Sequence, residues 1–170
     1  MNSVLRMLLL LALIFPPGSG VLHADKLSGY VLKSAFIYNF VAFTKWPDGS
    51  PNITICVKGD QVYSRLLNSI LAKKPPQDRK ILVVNASTIS DLVSCAVLVL
   101  SRSGLHAQQM NDIDTTSMLI VSDESTEVDL AMITLVEKND RISFFINKDN
   151  LERSDIKVSS KLLRLSQGYR

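Results

Sequence analysis

Hydrophobic and polar positions fall into blocks along this chain, and their period changes from block to block. The densest apolar block is LKSAFIYNFVAFTKWP, residues 32–47, where three phenylalanines, a tyrosine and a tryptophan stand with only two charges. Its spacing predicts a helix over 25–46, ended by Pro47 and the Asp48-Gly49 turn signal. At 100° per residue, Lys26, Lys33 and Thr44 fall within about 20° of one direction, and apolar side chains fill well over half of the remaining circumference. A helix lying on one sheet needs an apolar stripe only a little over ~100° wide. The surplus predicts a second buried face on this helix, filled by the rest of the chain, by a second copy or by a partner.

After this block, strand and helix periods alternate. NITICVK (52–58) is a β-branched run closed by Gly59-Asp60, and 61–74 carries Val62, Leu66, Leu67, Ile70 and Leu71 at helical spacing before Pro75-Pro76. A second strand is expected over 81–84, a short helix or turn over 89–93, and a third strand over 95–100 (CAVLVL), apolar on both faces and therefore central. The polar run 104–114 reads as helix or loop, and 117–121 as a fourth strand. Three alternations argue for an α/β fold, a mostly parallel, Rossmann-like sheet flanked by helices. The pattern then changes: 132–137 and 141–147 are strand-like runs joined by Lys138-Asn139-Asp140, which predicts a C-terminal antiparallel β-hairpin. A short helix over 148–153 follows. Ser159-Ser160 then caps a last helix, along which Val158, Leu162 and Leu165 align.

The N-terminus stands apart from this pattern. One basic residue, Arg6, precedes an unbroken apolar run over 7–15, and PPGSGVLHA ends in a small residue. That order is a secretory signal, too short and wrongly flanked for a transmembrane helix. Cleavage is expected after Ala24, with Gly20 as the fallback and an uncleaved anchor as the alternative. The chain then divides into a signal peptide, 1–24, and one domain, 25–170. No cysteine precedes Cys56 and no twin-arginine pair is present, so the general export route to the periplasm is expected, with no lipid or membrane anchor. A chain of this length buries close to ~70% of its unfolded surface, enough for a core of its own.

Charge and composition add exclusions. The formal net charge is +3 and the pI about 8.9, from a slight excess of lysine and arginine spread along the whole chain. No basic run interleaves with aromatics, so nothing points to nucleic acid. The domain holds one histidine, His106, and two cysteines, Cys56 and Cys95, with no metal-type spacing among them. The turn at Gly59-Asp60 sits where a phosphate loop would, but it has one glycine and no Gly-Lys-Ser/Thr. No Gly-x-Ser-x-Gly elbow exists, and Asp112, Asp114, Asp123 and Glu124 are scattered in turns. Neither a catalytic set, a metal site nor a cofactor site is legible. In an exported protein the two cysteines are best explained as one disulfide, with two buried free thiols as the alternative.

The blocks LKSAFIYNFVAFTKWP, ITICVKGD, CAVLVL and RISFFINKDNLERSDIKVSSKLLRL occur in an order that resembles the YfiR-type periplasmic proteins, from Tyr30 to about Gln167. The resemblance implies an exported, compact α/β domain that self-associates as a homodimer. It also implies a partner, the periplasmic part of a membrane-bound diguanylate cyclase, whose repression lowers cyclic-di-GMP and biofilm formation. Cys56 and Cys95 match a disulfide pair of that family. The histidine that often follows the family's second cysteine is here Ala96, which argues against a redox or metal role at that point.

The leading expectation is therefore a regulatory protein that acts by contact and not an enzyme, since partner binding needs an apolar patch and not a catalytic set. Phe36, Tyr38, Phe40, Phe43 and Trp46, with Leu162, Leu163 and Leu165 near the C-terminus, are the candidate partner or dimer contacts. The plainer alternative is that they are core, which is the usual fate of Phe and Leu. A periplasmic small-molecule sensor is the second reading, its crevice lined by the loops after Lys58, Ser101 and Val121.

Overall fold

The computed structural model describes residues 21–47, 49, 52–74, 79–101, 110, 113–123, 129–139 and 141–168, with backbone only for 21–25. The expected signal segment before Val21, the double proline at 75–76, His106, Asp112, Glu124, Asp140 and most of the run 104–114 lie outside the described residues.

The elements in chain order are α1 (Val21–Ala42), β1 (Thr44–Lys45), β2 (Asn52–Lys58), α2 (Val62–Ala72), β3 (Lys80–Asn85), a 3-10 turn (Ser90–Ser94), β4 (Val97–Leu100) and β5 (Leu119–Asp123). β6 (Ile133–Lys138), β7 (Arg141–Ile146), α3 (Lys148–Glu152), β8 (Lys157–Val158) and α4 (Ser160–Leu165) complete the chain. Six strands form one sheet in the order β3-β2-β4-β5-β6-β7. Every neighbouring pair is parallel except β6–β7. The fold is thus mixed α/β with a mostly parallel sheet. β4 lies inside the sheet with all four residues buried, as its two-sided apolar pattern required.

Alternation along the strands sorts the core into two layers. Ile53, Ile55, Val57, Val97, Val99, Leu119, Val121, Ile133, Leu135, Phe144 and Ile146 project to one face, where they meet Ile37, Phe40 and Val41 of α1 and Tyr63 and Leu67 of α2. Cys56, Leu98, Leu100 and Ile120 project to the other, where they meet Leu92 of the 3-10 turn and Met110, Met118 and Ala131. Both long helices therefore pack on the same face. Among the described residues the other face carries the 3-10 turn and no α-helix.

Three expectations need correction. The first helix stops at Ala42, not Trp46. Thr44 and Lys45 leave it to pair with Val158 and Lys157 in a separate two-stranded antiparallel ribbon. The β6–β7 hairpin is present, closed by the Lys138–Arg141 pair with Asn139 at φ 52°, a conformation asparagine tolerates. It does not end the architecture, however. The chain returns through α3 and β8, and Gln167 and Ile146 exchange backbone hydrogen bonds with Phe144 and Gly168, covering the β7 edge. Finally, Ser159 does cap α4, its hydroxyl accepting from the Leu162 amide at 3.3 Å. Within that helix, though, Leu162 is buried while Leu165 is exposed, and Val158 lies in β8.

Candidate functional site

α1 runs across the helical face of the sheet with an orientation opposite to the one its polar residues suggest. Lys33 is only 8% exposed and Thr44 is buried. The Thr44 hydroxyl donates to the Phe40 carbonyl at 2.7 Å, which satisfies it as the helix ends. Leu27, Val31 and Leu32, by contrast, are 53%, 44% and 46% exposed. With Ser28, Asn39 and Ala42 they form the outward part of the helix, at roughly 100° to 180° from Lys33. The surplus of apolar circumference is thus divided. Most of it enters the core, and a row near the N-terminal end stays in solvent.

Lys33 is turned inward by two carboxylates. Its ammonium lies 3.1 Å from Asp123 Oδ1, at the end of β5, and 3.0 Å from Glu137 Oε2 on β6. Burial pulls the Lys33 pKa down, but the hydrogen bond to Glu137 and the charge of Asp123 outweigh it, and the net shift is upward. The second Asp123 oxygen accepts from the Tyr63 hydroxyl of α2. Burial first, and then that bond, push the Tyr63 phenol upward. Tyr30 donates to Asp60 at 2.8 Å and packs edge-on against Tyr63, with ring centroids 5.2 Å apart.

These groups line the carboxyl ends of the strands, from Asp60 after β2, where the strand order reverses, across to Asp123 on β5 and Glu137 on β6; the reversal is the usual ligand position of an open α/β sheet. Gly59, at φ +115°, lets the turn after β2 touch the end of β4, since a Cβ there would stand 1.6 Å from the Ser101 carbonyl oxygen. The Asp60 amide donates to Ser101 Oγ at 2.8 Å. The turn after Lys58, Ser101 and the end of β5 come together, while the loop after Ser101 lies outside the described residues. Among the described residues they close on Tyr30, Lys33 and Tyr63.

The structure disperses the other candidate residues. Phe40 is fully buried, its ring 5.0 Å from Phe144 of β7 and 6.1 Å from Phe36. Tyr38, Trp46 and Leu162 are buried as well, so with Phe40 they belong to the core of a single chain. Phe36, Phe43 and Leu163 are half-buried, and Leu165 is 61% exposed. Cys56 and Cys95 form a disulfide with Cα atoms 5.7 Å apart, beneath the 3-10 turn. Cys95 sits just before β4 and not within it. Sequence reasoning missed Leu27, Val31 and Leu32. Their i, i+4, i+5 spacing was visible, but the single buried lysine that rotates the helix was not.

A family model described as YfiR/HmsC-like matches residues 30–167. The chain belongs to the YfiR/HmsC-like family. No curated protein matches it. The match spans every element from within α1 through α4, so the inward Lys33, the switch-point cluster and the disulfide all lie inside it. Membership in the YfiR/HmsC-like family points to a periplasmic regulator of diguanylate cyclase signalling and not to a catalyst. Among the described residues no helix is long and apolar enough to cross a membrane, and no three His, Cys, Asp or Glu side chains are grouped to hold a metal.

Proposed function

We propose that this YfiR/HmsC-like protein, exported and cleaved after Ala24, represses a membrane-bound diguanylate cyclase by binding its periplasmic part. Repression lowers cyclic-di-GMP and biofilm formation. The observation that carries this reading is the outward row Leu27, Val31 and Leu32 on α1. Neighbouring large apolar side chains left exposed over the outward half of a helix in a lone chain are a surface suited to a partner. The half-buried Phe36 and Phe43 follow Leu32 along one side of the helix, and Leu163 and Leu165 are secondary candidates. Cleavage at Ala24 places the new N-terminus in the first turns of α1, a few residues from the row, and leaves the row on the mature chain.

The test separates surface from core. A Leu27→Ser, Leu32→Ser double variant is expected to keep the wild-type unfolding midpoint while losing co-purification with the cyclase and raising cellular cyclic-di-GMP. Full repression by this folded variant would remove the row from the interface. A ligand-dependent thermal shift of the isolated chain, without cyclase capture, would favour the sensor reading instead.

A further inference from the structure

The pole opposite the Lys33 cluster, where α1 ends and the parallel strands begin, holds two adjoining clefts of about 520 and 330 Å³ that share Ala42, Thr44 and Lys45. β1 stands between them as a low partition. One cleft reaches Lys157 and Ser160. The other reaches Arg79 and Ile81 at the start of β3. Their walls are cationic and their floors apolar. Lys161 stands 5.2 Å over the Phe43 ring, Lys74 5.2 Å over Tyr38, and Arg79 5.5 Å over Trp46.

Five cations thus converge from five separate pieces of chain: Lys45 on β1, Lys74 after α2, Arg79 before β3, Lys157 on β8 and Lys161 on α4. Among the described residues the only ion pairs are those of Lys33, so none of the five meets a carboxylate there. A solvated surface ordinarily mixes its signs, whereas cations gathered around a recess focus the field onto whatever enters it. The backbone adds a second feature. Among the described residues β3 is the edge of the large sheet and β1 is paired only with β8, so the second cleft lies between two strands that each have an unpaired side there.

We propose that this double cleft docks an acidic, extended polypeptide segment carrying apolar side chains. Its carboxylates would meet Lys45, Arg79 and Lys157, its backbone would run along β1, and alternate side chains would fill the recesses beside Phe43 and Ile81. A membrane surface fits less well, because the apolar groups here are recessed behind the cations instead of protruding. Nucleic acid fits less well because the ring faces it would stack on are already covered by cations. The inference stands independently of the cyclase reading.

The experiment uses the full disulfide-bonded chain and a fluorescein-labelled peptide of alternating glutamate and leucine, with a lysine–leucine peptide as control. Anisotropy is expected to show saturable binding of the acidic peptide only, weakening several-fold between roughly 50 and 200 mM salt. A Lys45→Glu, Lys157→Glu double variant should lose about tenfold or more in affinity, on the scale of two charge-assisted contacts. Lys138→Glu, at the far hairpin, should bind as wild type. If charge reversal disturbs folding by circular dichroism, Lys45→Gln with Lys157→Gln gives the same direction with a smaller loss. Undiminished binding by either double variant, or equal binding of both peptides, overturns the proposal. So does capture of phosphatidylglycerol vesicles in place of the peptide. Cyclase repression is not read in this experiment, so its loss elsewhere leaves the result intact.

Discussion

Lys33 shows how one side chain sets the orientation of a helix. Its ammonium is enclosed by Asp123 and Glu137, and Asp123 is itself nearly buried. Removing the cation leaves that carboxylate desolvated without its counter-charge, a loss of about 3 kcal/mol or somewhat more for a pair this enclosed. Lys33→Met is therefore expected to lower the urea midpoint markedly, although it places a good helix former in a helix. Lys33 and Tyr63 both hold their protons more tightly in the folded chain than in the unfolded one. Their contribution is complete below about pH 10, where the unfolded groups begin to titrate, and is lost as pH rises through the folded values. Denaturation at pH ~8 and ~11 should show a steeper loss for wild type than for Lys33→Met with Tyr63→Phe; parallel losses would show that neither group is linked to alkaline unfolding. Gly59 is the other sensitive residue. A side chain there meets the Ser101 backbone at 1.6 Å and needs φ +115°, so Gly59→Ala should fail to accumulate as folded protein.

At the scale of elements, α1 separates two kinds of apolar residue that composition treats alike. Phe40→Ala opens a hole between the helix and Phe144 and should cost about 3–5 kcal/mol. Leu32→Ser, on the outward side, should stay within about 0.5 kcal/mol of wild type by chemical denaturation. Equal costs for the two would mean that the helix is rotated from the position described. Most elements were legible because their periods are strong: β4 was recognisable as central, the β6–β7 register follows from its turn, and α2 matches its five spaced aliphatics. What was not legible has specific causes. The β1–β8 ribbon consists of two-residue strands, too short for any period to register. The direction of α1 depended on two acids, at 123 and 137, that meet Lys33 only once β5 and β6 lie side by side. Among the described residues the second face of the sheet meets the short 3-10 turn and connecting residues, for which hydrophobic spacing carries little signal.

At the scale of the molecule, the two long helices and their aromatic rings stabilise one side of the sheet, and among the described residues the 3-10 turn packs on the other. The Cys56–Cys95 bond lies on that second side, tying β2 to the 3-10 turn across a separation of 39 residues. Closing a loop of that length removes about 4 kcal/mol of chain entropy from the unfolded state. The pairing was legible because two cysteines behind an export signal admit one connectivity, whereas its place beneath the 3-10 turn was not. Compartment and stability are therefore coupled. Chain made with residues 1–24 should be recovered from the periplasm beginning at Asp25, with neither cysteine alkylated before reduction. Chain made without them in a reducing cytosol should label at both. The labelled form should unfold at lower urea by an amount equivalent to roughly 3–4 kcal/mol, and Cys56→Ser with Cys95→Ser should match it. The loss should fall first on the 3-10 turn and β4, seen as faster amide exchange of Leu92 and Leu98 while Phe40 and Phe144 stay protected. Uniform loss of protection across both layers would instead make the disulfide a support of the whole sheet.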